Sequence, residues 1–237
     1  MDNTAYTTLT RQLGLIHEMQ IVANNIANAA TTGYRQEGLV FSEYVLAIDG
    51  GPSVSMATAN VRRTSEVQGA LTMTRAPYDF AVEGDGFFLI QTPQGERLTR
   101  AGAFSPSATG DLVTNDGYPV LDLGGAPVFV PPDAGDLALA ADGTLSAGGQ
   151  PLAQLAVVEP VDPEGLIRED GVRFRAEGGF QPVEIPRVVQ GFLETSNVDP
   201  VTQIARMIEV QRAYELGQSF LDREDQRIRG AITAMTR

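Results

Sequence analysis

The sequence predicts an α+β fold: long N- and C-terminal helices paired as a coiled coil, with a central all-β domain and an extended connector. Three observations predict it. Apolar residues recur at alternating spacings of three and four at both ends of the 237-residue chain. The middle consists of short apolar runs punctuated by turn residues. Between the first helix and that middle lies a stretch with neither pattern.

The N-terminal segment, residues 1 to 33, carries a helix over residues 3 to 30, capped by Asn3 or Thr4. Tyr6, Leu9, Leu13, Ile16, Gln20, Ala23, Ala27 and Ala30 make a heptad seam, broken once at Gln20. A second stripe, Leu15, Met19, Val22, Ile26 and Ala29, lies beside it, so the helix has more apolar surface than one partner covers. Asn24, Asn25 and Asn28 are unusual in such a helix, because Asn competes with helical hydrogen bonding. They read either as solvated or locally bonded residues near a fraying end, or as buried contacts that fix register between helices. Gly33 suits a left-handed C-terminal cap.

Residues 34 to 75 read as the connector, with Phe41, Tyr44, Val45 and Leu46 packing on the helices and a break at Gly50-Gly51-Pro52. Alternation at Val54, Met56 and Val61 indicates extended chain. Residues 76 to 186 form the β domain. Turns at Gly84-Asp85-Gly86, Pro93-Gln94-Gly95, Asn115-Asp116-Gly117 and Asp142-Gly143 separate runs such as Phe87-Phe88-Leu89-Ile90 and Gln154 to Glu159. Many short strands at such spacing indicate a sandwich or barrel.

Residues 187 to 237 complete the helical domain. Asp199 is a good N-cap, its carboxylate accepting an orphan N–H, and Pro200 suits the first helical position. Met207, Val210, Tyr214, Gly217, Leu221, Glu224, Ile228, Ala231 and Met235 form the seam, thinned at Gly217 and marred at Glu224. A helix of about 37 residues spans roughly 55 Å and calls for a partner. The terminal helices alone make a thin structure, so they are expected to become ordered as neighbouring subunits bury their outer stripes.

Composition narrows the function. A net charge of −13 argues against nucleic acid or anionic lipid as partner. No run approaches the roughly 20 apolar residues of a membrane span. There is no cysteine, and His17 is the only histidine, so thiolate sites, a His-based triad and a His-rich metal site are excluded. No Gly-rich phosphate loop is present. Glu83-Gly84-Asp85-Gly86 lacks the ligand ladder of a calcium loop and reads as a hairpin. No catalytic residue, cofactor, metal or small-molecule substrate is therefore expected. The N-terminus lacks a basic region and carries Arg11, Gln12, His17 and Glu18 where a signal peptide is apolar, so no cleaved signal is expected.

Three sets of motifs resemble those of the bacterial flagellar rod and hook proteins. Near the N-terminus, Ile21-Val22-Ala23-Asn24-Asn25-Ile26-Ala27-Asn28 precedes Thr31-Thr32-Gly33-Tyr34-Arg35. In the middle stand Val82-Glu83-Gly84-Asp85-Gly86-Phe87-Phe88, Thr99-Arg100-Ala101-Gly102-Ala103-Phe104 and Gly110 to Leu121. Near the C-terminus, Ser196-Asn197-Val198-Asp199-Pro200-Val201 is followed by Met207-Ile208 and Gln211-Arg212-Ala213-Tyr214-Glu215. The resemblance spans nearly the whole chain, in the family's order; Gly217 departs from it, since the family tends to have Asn or a similar residue there.

The resemblance implies a non-catalytic structural subunit, most like the proximal-rod members, with the distal-rod members as nearest rivals. It implies an inner coiled-coil domain lining the rod, an outer β domain, export through the flagellar type III apparatus and assembly in the periplasmic space. The implied partners are copies of itself and other proximal and distal rod subunits. Ile16, Val22, Ile26, Met207, Val210, Tyr214 and Leu221 are the expected packing residues. Asn24, Asn25, Asn28 and Gln211 are the candidates for register-fixing contacts, and Asp199 with Pro200 for the helix start. A secreted carbohydrate-binding or hydrolytic β domain is the alternative from another class; it needs convergent carboxylates or aromatic platforms, and the chain has no tryptophan.

Overall fold

The computed structural model describes the backbone of residues 2–46, 54–132 and 135–235, and within it the side chains of 8–39, 62–132 and 135–235. The chain forms two compact units. The first comprises Met1–Ala27, Glu37–Ser65 and Asp199–Arg237, the second Asn28–Gln36 and Glu66–Val198.

The first unit holds four elements: helix α1 (Asp2–Ala27), strands β1 (Glu37–Leu46) and β2 (Val54–Thr64), and helix α2 (Pro200–Met235). The strands pair antiparallel, with Glu37 opposite Thr64 and Leu46 opposite Val54, and a bulge between Val40 and Phe41. Val54, Met56 and Val61 fall in β2, so much of the expected connector is a long hairpin. The expected break at Gly50-Gly51-Pro52, and the expected packing of the Tyr6, Phe41, Tyr44, Val45 and Leu46 side chains, lie outside the described residues.

The coiled coil expected of the terminal helices is not what forms. Leu9 and Leu13 of the α1 seam are 52% and 54% exposed, and Gln20, Ala23, Ala27 and Ala30 are also exposed. The inward face is instead the neighbouring stripe, where Val22 is buried and Leu15, Met19 and Ile26 are half-buried, together with buried Gln12, Glu18, Ile21 and Asn25; Ala29 of that stripe lies past the helix end. The reason is the hairpin. Helix α1 packs on both of its strands as well as on α2, and such a surface selects a broad helix face rather than a narrow two-helix seam. On α2 the inward residues end at Glu224; Ile228, Ala231 and Met235 are exposed, and nothing among the described residues covers the last turns.

The second unit is all-β. Its main sheet has six antiparallel strands in the order Leu166–Asp170, Arg173–Ala176, Gly95–Thr99, Phe87–Thr92, Val157–Pro160, Phe180–Pro182. Alternation along Phe87–Thr92 feeds two cores, as period-two side chains must. Phe88 and Ile90 join Phe80, Phe104, Leu112, Val120, Leu145 and Leu155 on one face. Phe87 and Leu89 join Leu98, Leu121 and Phe174 on the other. The unit closes on itself where Leu71–Met73 pairs with Phe192–Glu194 and Phe80–Val82 pairs with Val188–Gln190.

Gly33 is not a helix cap. Helix α1 ends at Ala27, whereas the Gly33 N–H donates to the Glu194 carbonyl at 2.8 Å. Its φ is +71°, and a Cβ there would lie 2.4 Å from the backbone of Arg100 and Ala101. Close approach of two backbones, not helix termination, demands glycine here.

Candidate functional site

Polar side chains organise the inward face of the first unit. Asn25, 1% exposed, donates from Nδ2 to the Glu37 carbonyl at 2.8 Å and to Gln203 Oε1 at 3.2 Å, while its Oδ1 accepts the Glu37 N–H at 3.0 Å. One amide thereby ties α1 to the first residue of β1 and the first turns of α2. Arg206 Nε donates to the buried Glu18 carboxylate at 2.7 Å, which holds the Arg206 pKa above its ordinary value. Gln12 Nε2 donates to the Tyr214 carbonyl at 3.0 Å. Gly217 makes room for it: a Cβ at 217 would lie 1.9 Å from that nitrogen.

The remaining expected site residues distribute as follows. Val22 and Val210 are buried at 4% and 2% exposure; Ile16, Ile26, Met207, Tyr214 and Leu221 are half-buried. Asn24 is exposed. Asn28 is half-buried and accepts from the Thr31 hydroxyl at 3.1 Å. Gln211 is exposed and bonds along its own helix to Glu215 at 3.2 Å. Asp199 accepts the Val201 N–H at 3.0 Å and the Thr202 hydroxyl at 2.6 Å, and Pro200 opens α2. The Thr202 hydroxyl first, then the Val201 N–H, holds the Asp199 carboxyl below the ordinary aspartate range.

Both helices carry exposed apolar side chains: Leu9 and Leu13 on the outer face of α1, Ile204, Ile208, Leu216 and Phe220 on the outer side of α2, and Ile228 and Ile232 past Glu224 on its inward line. An α2 surface with this many exposed large apolar groups is unusual for a monomer and marks an interaction face.

The second unit contains a buried ionic node that sequence reading missed. Glu194, 1% exposed, lies 2.8 Å from Arg35 Nε, without hydrogen-bond alignment, and accepts from Arg100 Nη1 at 3.1 Å and from the Gly69 N–H at 3.1 Å. Arg100 also donates to the Gly84 carbonyl at 2.7 Å. Burial, and then the neighbouring Arg35 guanidinium, pull the Arg100 pKa down to about 10, with Glu194 opposing the fall. Arg168 lies over the rings of Tyr34 and Phe174 at 4.3 and 4.5 Å and donates to the Arg35 carbonyl. Three motifs far apart in sequence supply the charges: Gly33-Tyr34-Arg35, Thr99-Arg100-Ala101 and Glu194-Thr195-Ser196. Charged residues inside such strings, one acidic group matched by two distant basic ones, were the available signal.

A cavity of about 250 Å³ in the second unit is lined by threonines, Asn115, Asp116 and Arg173, with one carboxylate and no aromatic ring. Among the described residues no cluster of three or more His, Cys, Asp or Glu could hold a metal. No described helix is long and apolar enough to cross a membrane.

Comparison with known proteins agrees with the motif pattern. The chain matches the family models "Flagella basal body rod protein" over residues 3–35, "Flagellar hook protein FlgE/F/G D1 domain" over 81–147 and "Flagellar basal body rod FlgEFG protein C-terminal" over 189–234. It is 37% identical to the flagellar basal-body rod protein FlgF of Caulobacter vibrioides, covering 98% of this chain and 97% of that one. It is likewise 37% identical to FlgF of Mesorhizobium japonicum, covering 91% and 90%. Against the flagellar basal-body rod protein FlgG of Bacillus subtilis the identity is 28%, covering 95% and 96%.

Proposed function

This chain belongs to the flagellar basal-body rod protein family, whose members are structural and not enzymes, and we propose that it is a subunit of the proximal part of the rod. It polymerises through the outer faces of its terminal helices with copies of itself and with neighbouring proximal and distal rod subunits, and passes torque from motor to hook. It reaches the periplasmic space through the flagellar type III export apparatus. The observation that carries assembly is the set of exposed apolar side chains along α2, from Ile204 to Ile232, which the described residues leave uncovered. The mechanism is mechanical: many packed side-chain contacts resist twist together, because close-packed interiors are hardly compressible. The proximal position is supported by relatives named FlgF at 30 to 37% identity, against 28 to 29% for those named FlgG.

Basal bodies from a strain lacking this protein test the reading. Electron microscopy is expected to show a rod that stops short of its distal part. A complete rod reaching the hook in that strain overturns the proximal assignment.

A further inference from the structure

We propose that Arg35, Glu194 and Asn197 form a non-covalent clasp that shields the β domain from tension applied at its ends. The second unit is entered and left through three segments: residues 28–36, the chain from Glu66 onward, and the chain up to Val198. All three are bound to one another. The Gly33 N–H donates to the Glu194 carbonyl at 2.8 Å, and Arg35 pairs with the Glu194 carboxylate. Asn197 Oδ1 accepts the Gln36 N–H at 2.6 Å, while its Nδ2 donates to the Val67 carbonyl at 2.7 Å. The Gly69 N–H reaches Glu194 at 3.1 Å, and Arg35 Nη1 reaches the Glu66 carbonyl at 2.5 Å.

The clasp therefore closes residues 37 to 193 into a loop whose ends are tied before the β core begins. A pull on the segments around residues 30 and 200 runs through the clasp and bypasses the sheet. The charged members, Arg35 and Glu194, are only 2% and 1% exposed, so water cannot easily replace their bonds as they stretch. Protection of the β core under torque rests on the rod-subunit reading; the mechanical property does not, so the two can fail separately.

The chain contains no cysteine, which permits unique attachment points in the full-length protein. Single-molecule pulling through Ala30→Cys and Val201→Cys, both exposed positions, loads the clasp. Pulling through Gln94→Cys and Glu184→Cys, also exposed, loads the sheet instead. In the first geometry, Asn197→Ala and Glu194→Gln are expected to shorten the folded lifetime at constant force by about tenfold or more. In the second geometry the milder Asn197→Ala is expected to leave the lifetime unchanged. Equal weakening in both geometries reduces the residues to general stabilisers, and an unchanged lifetime in the first removes the clasp; either result overturns the proposal. If Glu194→Gln fails to fold, Asn197→Ala alone decides.

Discussion

Asn25 grips Glu37 by both backbone groups, the amide nitrogen on the carbonyl and the amide oxygen on the N–H, at 2.8 and 3.0 Å. The pair reproduces from a side chain the two bonds that a neighbouring strand would make. Because both Glu37 groups are in a buried setting, removing the amide strands them. Asn25→Ala is expected to cost about 2 kcal/mol or more, since each unsatisfied buried group carries its own desolvation penalty. Asn25→Asp keeps the acceptor but loses the donor, so it too is expected to destabilise. Urea unfolding followed by circular dichroism measures both; loss below about 0.5 kcal/mol would contradict the role.

Gly217 sets two effects against each other. Alanine in a helix interior is favoured over glycine by about 1 kcal/mol, but its Cβ displaces Gln12 and breaks the 3.0 Å bond to Tyr214. Gln12 ends in a flexible amide, so the displacement costs a comparable amount. Gly217→Ala is expected to be near neutral in the natural chain and stabilising by about 1 kcal/mol in a Gln12→Ala background. A double-mutant cycle by thermal unfolding reads the coupling; additive effects would show that the two residues do not meet.

The Asp199 cap carries a pH signature. Its folded pKa is depressed by the Thr202 hydroxyl and the Val201 N–H. The cap's contribution is therefore complete above the ordinary aspartate value, about 4, and is lost as pH falls through the lower folded value. Hydrogen exchange is expected to show α2 fraying at its first turn under acid in the natural chain. The Asp199→Asn variant caps without titrating, and its first turn should not respond to acid in this way.

The exposed apolar side chains of α2 separate assembly from folding. Leu216 and Ile232 are 73% and 57% exposed, so Leu216→Asp and Ile232→Asp are expected to shift unfolding by no more than about 0.5 kcal/mol. Both are expected to abolish rod incorporation and swimming. Leu221→Asp, on the half-buried side, should lose assembly as well while the β domain stays folded. Normal motility in all three variants would remove the packing claim.

Gly33→Ala tests the close approach. With φ at +71° and a Cβ 2.4 Å from the Arg100–Ala101 backbone, the methyl has no flexible neighbour to displace. A loss of about 3 kcal/mol is expected from strain and overlap together; chemical denaturation of the β domain checks it.

Much of the chain was readable from local chemistry. Asp199 and Pro200 marked the start of α2, and the glycine-bearing turns marked the strands of the β domain, because caps and turns depend on a few adjacent residues. The face of α1 was not readable in the same way. Its two apolar stripes are equally good helix surfaces, and the choice between them is made by β1 and β2, whose pairing is non-local. The hairpin itself was obscured because Glu37 to Thr64 mixes charged, small and apolar residues without a steady alternation. The burial of Arg35, Arg100 and Glu194 is not legible in the sequence, because a charged residue ordinarily faces water, and only their meeting in space makes burial tolerable.

The first unit is assembled from three separated stretches, and its contacts join residues as distant as Gln12 and Tyr214. Synthesis proceeds from one end, so α1 leaves the ribosome long before α2 exists. Until Asp199 to Met235 has been made, Asn25 lacks Gln203 and Glu18 lacks Arg206. The nascent chain consequently carries an unfinished helical unit while the whole β domain is being made, and that unit can close only once α2 has emerged.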